Sequence, residues 1–391
     1  MADFKSTFGR EPEYIASAPG RIEVSGNHTD HQHGCVMAAA VNLETRGWAA
    51  LNGTREINMV SEGHTGCRIN IDNLESYEKM KGTSDAIVAG IVYQFVKRGA
   101  QVQGFDLYVK SEVLPGSGLS SSASFELMVC NLINHVFYDD KCDPVELAQI
   151  GQWAENNFYG KPCGLMDQTA CSVGNFIGID FKDPSHPIVE KLEFDFSKSG
   201  HSVCVIDSGA NHAHLDGEYA GITTDLKNVC RVLGKEFLRD VDEAEFYNRF
   251  DEVRKTAGDR AVLRAIHVFN ENKRVKIQSQ ALKNGDFDTF LKNASESGKS
   301  SWRLLQNVII SGQTQHQEMA VALQLAWQFL DGRGAARVNG GGFAGTILAF
   351  VPDDILDSFK SRMEAALGAG ACKVLKINPK GGTCELIKDR G

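Results

Sequence analysis

Apolar positions recur along this chain in two rhythms, and the change from one to the other marks its elements. Over residues 84–98, Ile87, Val88, Ile91, Val92 and Phe95 fall at helical spacing, with Ser84 placed to cap the first turn. Over residues 122–138, Phe125, Met128, Val129, Leu132, Ile133 and Val136 repeat that stripe. Asp143-Pro144 has the form of a helix start and Gly160 of a helix stop, which predicts a third helix between them. Shorter apolar runs at 105–109, 201–207 and 346–351 read as strands. Residues 57–71 read as strand and turn, and 177–196 as a hairpin. The Gly, Asn, Asp and His mixture within 16–51 marks a loop between extended pieces. Helical patterns dominate 219–330 and return at 354–367.

This mixture predicts both helices and strands in one chain. At 391 residues it is too long for one ordinary core, so two domains are expected. No low-complexity linker separates the halves and no internal repeat is visible, which favours two lobes packed together, the second opening with the strand at 201–207.

Composition narrows the classes of function. A formal net charge of −9 argues against a broad nucleic-acid surface. No run of 18 apolar residues occurs, so no membrane span is expected. The ten cysteines are scattered with no CxxC pair, and the first residues, MADFKSTFGREPEY, are polar and charged. Both point to reduced thiols and a cytoplasmic protein.

Residues 114–124, LPGSGLSSSAS, carry the strongest chemical signal. A Pro-Gly turn, a second glycine and a run of hydroxyls open a helical stripe. Such a segment can turn several N–H and O–H groups toward one anion at the positive end of a helix. Alone it is equally well a turn followed by a cap, and it is not a Walker A loop, because GxxxxGK[ST] is absent. Ser122 could supply a hard oxygen to Mg²⁺. Glu155 sits near the C-terminal end of the third helix, where a carboxylate is disfavoured unless a cation compensates; the alternative is a solvated surface residue. Asp167, in PCGLMDQ, could accept a hydroxyl proton or cap the next short helix. Arg21, after the Pro19-Gly20 turn, could pair with a carboxylate or stabilise a transferring phosphoryl group. His28 and Asp30 could fork onto vicinal hydroxyls of a polyol. The glycine cluster at 339–345 could let a phosphate or a second backbone approach closely, or could be only a tight turn.

Together these stretches resemble the GHMP kinases, a family that includes galactokinase, homoserine kinase and mevalonate kinase, and among them most closely the galactokinases. The family pattern GRxNLIGEHTDYxxG is similar to residues 20–34, GRIEVSGNHTDHQHG. Its phosphate loop GxGLSSSAS looks like residues 116–124, CGxMDQ is matched by 163–168, and a glycine cluster before a strand looks like 340–345. A further family segment is similar to Gly217-Glu218-Tyr219. The resemblance spans roughly residues 14–351.

The resemblance implies a two-lobed GHMP kinase fold: an N-terminal domain of ribosomal-protein-S5-like topology over 1–195, a C-terminal α+β domain over 196–391, and an active site between the lobes. It implies ATP and Mg²⁺ as cofactors and phosphorylation of a sugar at its anomeric hydroxyl, galactose first among them. By the same resemblance Arg21 and Asp167 are the catalytic pair, and Ser122 and Glu155 hold the metal. Gly116, Ser117, Gly118, Leu119, Ser120, Ser121, Ser122 and Ala123 bind the nucleotide, and Asn27, His28, Asp30, Gly164 and Tyr219 meet the sugar. A small-molecule sugar is the expected partner, with no nucleic acid and no membrane; a monomer is the default expectation.

The departures lie in the first motif. Asn27 stands where the family has Glu, His31 where it has Tyr, and Glu23, Val24 and Ser25 where it has Asn, Leu and Ile. In the family that Glu meets the sugar's 6-hydroxyl. A carboxylate there would repel a uronate by about 4 kcal/mol at roughly 4 Å and an effective dielectric of about 20, and an amide that can donate would not. Galacturonate, or another modified hexose or pentose, is therefore an alternative acceptor. A second alternative is a sensor that binds galactose and ATP without turnover, although the intact Ser122-Ala123, Arg21 and Asp167 speak for an enzyme.

Overall fold

The computed structural model describes residues 3–63, 66–210 and 215–387. In chain order its elements are α1 (Phe4–Phe8), β1 (Tyr14–Ser25), β2 (Cys35–Leu51), β3 (Glu56–Ser61), β4 (Cys67–Asn70), α2 (Ser84–Lys97), β5 (Phe105–Ser111), α3 (Ser121–Phe137), α4 (Pro144–Ala154), α5 (Met166–Val173), β6 (Phe176–Asp180) and β7 (Ile188–Leu192). There follow β8 (His201–Asp207), α6 (Asp216–Val232), α7 (Glu243–Asn248), α8 (Phe250–Ala257), α9 (Asp259–Lys283), α10 (Phe287–Ser300), α11 (Glu318–Leu330), β9 (Ala335–Val338), β10 (Thr346–Pro352), α12 (Leu356–Leu367), β11 (Cys372–Leu375) and β12 (Thr383–Leu386). The chain folds as two units, one of residues 1–21, 40–175 and 378–391, the other of 22–39 and 176–377.

In the first unit the sheet runs β12-β1-β2-β5-β3-β4. β5 lies antiparallel to β2, with Thr45 opposite Ser111 and Leu51 opposite Phe105, and parallel to β3. A parallel pair needs a long crossover, and here the chain passes through β4 and α2 between β3 and β5. Helix α2 buries Ile87, Val88, Ile91, Val92 and Phe95, the stripe read from the sequence. Its cap is Thr83, whose hydroxyl accepts from the Ala86 N–H at 3.3 Å, because Ser84 is already helical. In α3 the expected stripe buries Met128, Val129, Leu132 and Ile133, while Phe125 and Val136 stay half-buried. Helix α4 starts with a reciprocal cap: Asp143 accepts from the Glu146 N–H at 2.9 Å, and the Glu146 carboxylate accepts from the Asp143 N–H at 2.9 Å. It runs into a π-helical turn, Glu155–Tyr159, closed by Gly160 at φ 84°.

In the second unit, Cys35–Ala39 of β2 pair with β6, and β6 and β7 form the expected hairpin. A separate antiparallel sheet runs β11-β8-β10-β9. One buried cluster joins Ile222, Leu226, Phe246, Val262 and Val268; another joins Ile206, Leu323, Ile347, Phe359 and Met363. Helix α10 also ends in a π turn, Ser301–Leu305, closed by Gln306 at φ 59°. The loop between β1 and β2 opens at Gly26, which has φ 89° and faces the Cys35 carbonyl so closely that no Cβ fits. The mixture of helix and two sheets is the α+β class that the family resemblance implies.

Candidate active site

The glycine loop of the first unit is bound to the two residues that the sequence singled out for chemistry. Gly116, Gly118 and Ser120 all have positive φ, at 76°, 72° and 58°, so the chain coils tightly before α3 begins at Ser121. The Leu119 carbonyl accepts from the Arg21 backbone N–H at 2.9 Å, and the Gly118 carbonyl accepts from Arg21 Nη1 at 2.7 Å. The same guanidinium forks onto Asp167, Nε to Oδ1 and Nη2 to Oδ2, each at 2.7 Å. Ser120 does not cap α3 with its side chain; its hydroxyl donates to Asp167 Oδ2 at 2.7 Å. Asp167 is therefore no helix cap: it lies in the first turn of α5 with its carboxylate on Arg21 and Ser120, 31% exposed. Burial pushes its carboxyl up, but the Arg21 charge and the hydrogen bonds from Arg21 and Ser120 outweigh this and hold it below the ordinary carboxylate range.

Glu155 is not on the solvated surface. It is only 2% exposed, at the start of the π turn. Gln168 Nε2 donates to Glu155 Oε2 at 2.9 Å and to Glu126 Oε2 at 3.0 Å, and Lys161 Nζ lies 3.6 Å from Glu155 Oε1. Glu126 and Gln168 escaped the sequence reading. The available signal was a glutamate four residues after Ser122, on the apolar face of α3. Burial, and then the Glu155 charge, push the Glu126 carboxyl well up. Ser122 lies half-buried in the first turn of α3, and Gly164 is exposed in the loop before α5.

Asn27, His28, Asp30 and Tyr219 belong to the second unit. Asn27 is 1% exposed and does not hold a free amide. Its Nδ2 donates to Glu23 Oε1 at 2.8 Å and to the Gly340 carbonyl at 2.7 Å. Its Oδ1 accepts from Asn307 Nδ2 at 2.7 Å and from the Ser301 hydroxyl at 3.3 Å. Two donors and two lone pairs are all that an amide side chain has, so its capacity is taken up inside the protein. Glu23 in turn pairs with the fully buried Arg337, whose Nη2 lies 2.8 Å from Oε1 and whose Nη1 donates to the Glu23 carbonyl.

The glycine cluster receives His28 of the first motif and Tyr219 of α6. His28 Nε2 lies 2.9 Å from the Gly341 carbonyl and the Tyr219 hydroxyl donates to the Gly342 carbonyl at 3.0 Å. His28 Nδ1 lies 3.2 Å from His31 Nε2, so both its ring nitrogens are engaged. Burial pulls the His31 imidazole down to about 4 and keeps it neutral at pH 7. The Asp30 carboxylate, in a short 3-10 turn, has no hydrogen-bond partner among the described residues. The polyol fork expected of His28 and Asp30 thus has one open arm.

Residues 86–175 match the model of the GHMP kinases N terminal domain, and residues 2–50 match the galactokinase galactose-binding signature. The chain is 28% identical to a galactokinase of Streptomyces coelicolor, over 98% of this chain and 97% of that one. It is 29% identical to a galactokinase of Clostridium tetani, over 88% and 86%. Among solved structures, the galactokinase of Lactococcus lactis complexed with galactose matches with a TM-score of 0.80 and 25% identity, covering 97% of both chains. A mevalonate kinase shares the fold, with a TM-score of 0.66 at 13% identity over 94% of this chain and 99% of that one. The sheet-and-helix unit that carries this hydroxyl-rich loop on the Arg21–Asp167 pair is similar to the GHMP kinases, a class of phosphotransferases whose N-terminal domain model it matches. Among those kinases it is similar to the galactokinases, whose galactose-binding signature residues 2–50 match.

Proposed function

We propose that this chain transfers the γ-phosphoryl group of ATP to the anomeric hydroxyl of galactose, releasing ADP and galactose 1-phosphate. One observation carries the reading: Asp167 is an ionised, partly exposed carboxylate with acceptor capacity left. A carboxylate offers about four lone-pair sites. Arg21 and Ser120 occupy three of these on Asp167, two from the guanidinium and one from the hydroxyl. The remaining site accepts the sugar hydroxyl.

Asp167 does not make a standing alkoxide. The gap to a sugar hydroxyl is about 8 pKa units, and full deprotonation would cost about 11 kcal/mol at about 1.36 per unit. The carboxylate orients the hydroxyl and takes its proton late, as the anomeric oxygen bonds to the γ-phosphorus and the bond to the β-phosphate oxygen breaks. A loose transition state needs positioning and charge stabilisation more than a strong base. Arg21 keeps Asp167 ionised and ties the loop to it through the Gly118 carbonyl. The backbone N–H groups of residues 116–123 bind the triphosphate.

The donor set fits Mg²⁺. Ser122 and Glu155 are hard oxygen ligands, and Glu126 Oε1 and Gln168 Oε1 beside them are buried without a hydrogen-bond partner among the described residues. Among those residues no three His, Cys, Asp or Glu side chains gather as a metal site, which suits an ion that keeps most of its ligands on phosphates and water. When bound, the ion neutralises charge on the β- and γ-phosphates.

Galactose is favoured over galacturonate. The amide N–H groups of Asn27, which motivated the uronate, are both engaged, and Arg337 is paired with Glu23. No donor at position 27 remains for a substrate carboxylate. The test is ADP release with galactose, galacturonate, N-acetylgalactosamine, arabinose and glucose. Galactose should give the highest kcat/KM. Galacturonate outpacing it would overturn the sugar assignment, and sugar binding without ADP from any sugar would identify a sensor. Asp167→Asn should lose about 10²–10⁴ in kcat and still bind ATP.

A further inference from the structure

The buried contacts of Glu23, Asn27 and Arg337 hold one anion, one cation and one amide. We propose that Asn27 is a positioning residue for the sugar loop, and that Glu23, Asn27 and Arg337 act as one charge-balanced group in which the carboxylate and the amide can change places only together. The inference rests on the reading that the loop after Gly26 receives the acceptor sugar.

Asn27 offers no unused polar atom, so a substrate cannot draw a hydrogen bond from it without breaking one inside the protein. What Asn27 does is hold the glycine cluster in place. The carbonyls of Gly340, Gly341 and Gly342 receive Asn27, then His28 and Asn307, then Tyr219. The Glu23 backbone N–H completes the clasp by donating to Asn339 Oδ1 at 3.0 Å. A shift at residue 27 therefore moves His28 and Tyr219 through three consecutive carbonyls.

The family pattern has the amide first and the carboxylate four residues on. This chain has them in the opposite order, Glu23 and Asn27. Glu23 Oε1 accepts from both Asn27 Nδ2 and Arg337 Nη2, each at 2.8 Å, so exchanging the two residues leaves one carboxylate and one amide at that contact and the net charge unchanged. Either change alone breaks the balance. Asn27→Glu adds a third buried carboxylate beside Glu23 and Glu271, against Arg337 and Arg274, and Glu23→Asn leaves Arg337 without its hydrogen-bonded anion.

The experiment is a double-mutant cycle on the full-length protein with Glu23→Asn, Asn27→Glu and both together. Thermal unfolding, galactose KM, ATP KM and kcat are read for each. Each single variant should raise the galactose KM about tenfold or more and leave the ATP KM within about twofold; the double variant should return the galactose KM to within about threefold of the parent. A double variant as impaired as the two singles combined overturns the proposal, as does an equal rise in both KM values, which would mark a merely structural role. If the singles do not fold, recovery of a cooperative unfolding transition in the double supports the pairing, and its absence overturns it. Ser301→Ala, which removes one donor to Asn27, gives a milder arm: a rise in galactose KM of about threefold at constant ATP KM is expected, and no change counts against Asn27 as a positioning residue. Because unfolding is read without substrate, the cycle still reports on the pairing if galactose proves not to be the acceptor.

Discussion

The Ser120 hydroxyl donates to Asp167 Oδ2 at 2.7 Å, so a residue of the glycine loop touches the carboxylate proposed to take the sugar proton. This bond stabilises the charged form of Asp167 and contributes to holding its carboxyl low. In Ser120→Ala that contribution is lost and the carboxyl rises toward its ordinary value. The acid limb of the kcat/KM profile should move to higher pH, with kcat at pH 7 down about tenfold or more, the loss expected for a hydrogen bond to a charged group. A pH–rate profile with an unmoved acid limb would show that the contact does not tune Asp167.

Arg21 holds Asp167 with two N–H groups and the Gly118 carbonyl with a third. A lysine ammonium cannot reproduce that planar fork. Arg21→Lys should lower kcat about a hundredfold while the protein still folds, since one charge is kept. Steady-state kinetics beside a thermal melt separates the two effects; activity within a factor of about two of the parent would remove the fork from the mechanism.

Glu155 is buried and shares the Gln168 amide with Glu126, and no third His, Cys, Asp or Glu among the described residues completes a metal site with them. Glu155→Gln should raise the Mg²⁺ concentration for half-maximal activity about tenfold or more, and Ser122→Ala should raise it less, because a carboxylate is the stronger ligand. Titration of turnover with Mg²⁺ at fixed ATP is the measurement. Unchanged Mg²⁺ curves in both variants would place the ion elsewhere.

Glu271 lies buried in α9 and accepts from the Gly26 N–H at 2.8 Å and from the Ser297 hydroxyl at 3.0 Å. Burial pushes its carboxyl up, but the Arg274, His267 and Arg337 charges and the Gly26 N–H bring it down to about 2, from an ordinary 4.5. A depressed folded-state value means stability that is present above about 4.5 and is lost as the pH falls toward about 2. The difference corresponds to about 3 kcal/mol. Urea denaturation of Glu271→Gln should show a loss of that order at pH 7 and a smaller one at pH 3. Equal losses at both pH values would separate Glu271 from acid stability.

Much of this chain was legible because its signals are local. The stripes in α2 and α3 and the Asp143-Pro144 start each depend on neighbours within a few residues. The 84-versus-83 cap was misjudged because Thr83 and Ser84 are both good caps, and only the backbone turn decides. The first motif displayed Asn27 as a departure and suggested a free amide. Its true surroundings, Glu23, Ser301, Asn307 and Gly340, come mostly from distant stretches, and no local spacing announces them. Gln168 was hidden for the opposite reason. It sits next to Asp167 in sequence, but its partners Glu126 and Glu155 lie on two other helices. The glycine cluster read as an approach for a phosphate or a second backbone, or as a tight turn; its carbonyls receive Asn27, His28, Asn307 and Tyr219, contacts that no local spacing announces.

Two helices, α4 and α10, each end in a π turn, and the first residue of one is Glu155 and of the other Ser301. A π turn holds more residues than an α turn, so each helix carries a surplus residue where it meets function. Losing one residue within either turn would turn it into an ordinary α turn and leave a sound helix, displacing the residues of the turn itself. Single-residue deletions at these two points would therefore disturb the proposed metal ligand Glu155 and the Asn27 partner Ser301 separately, with no side chain substituted.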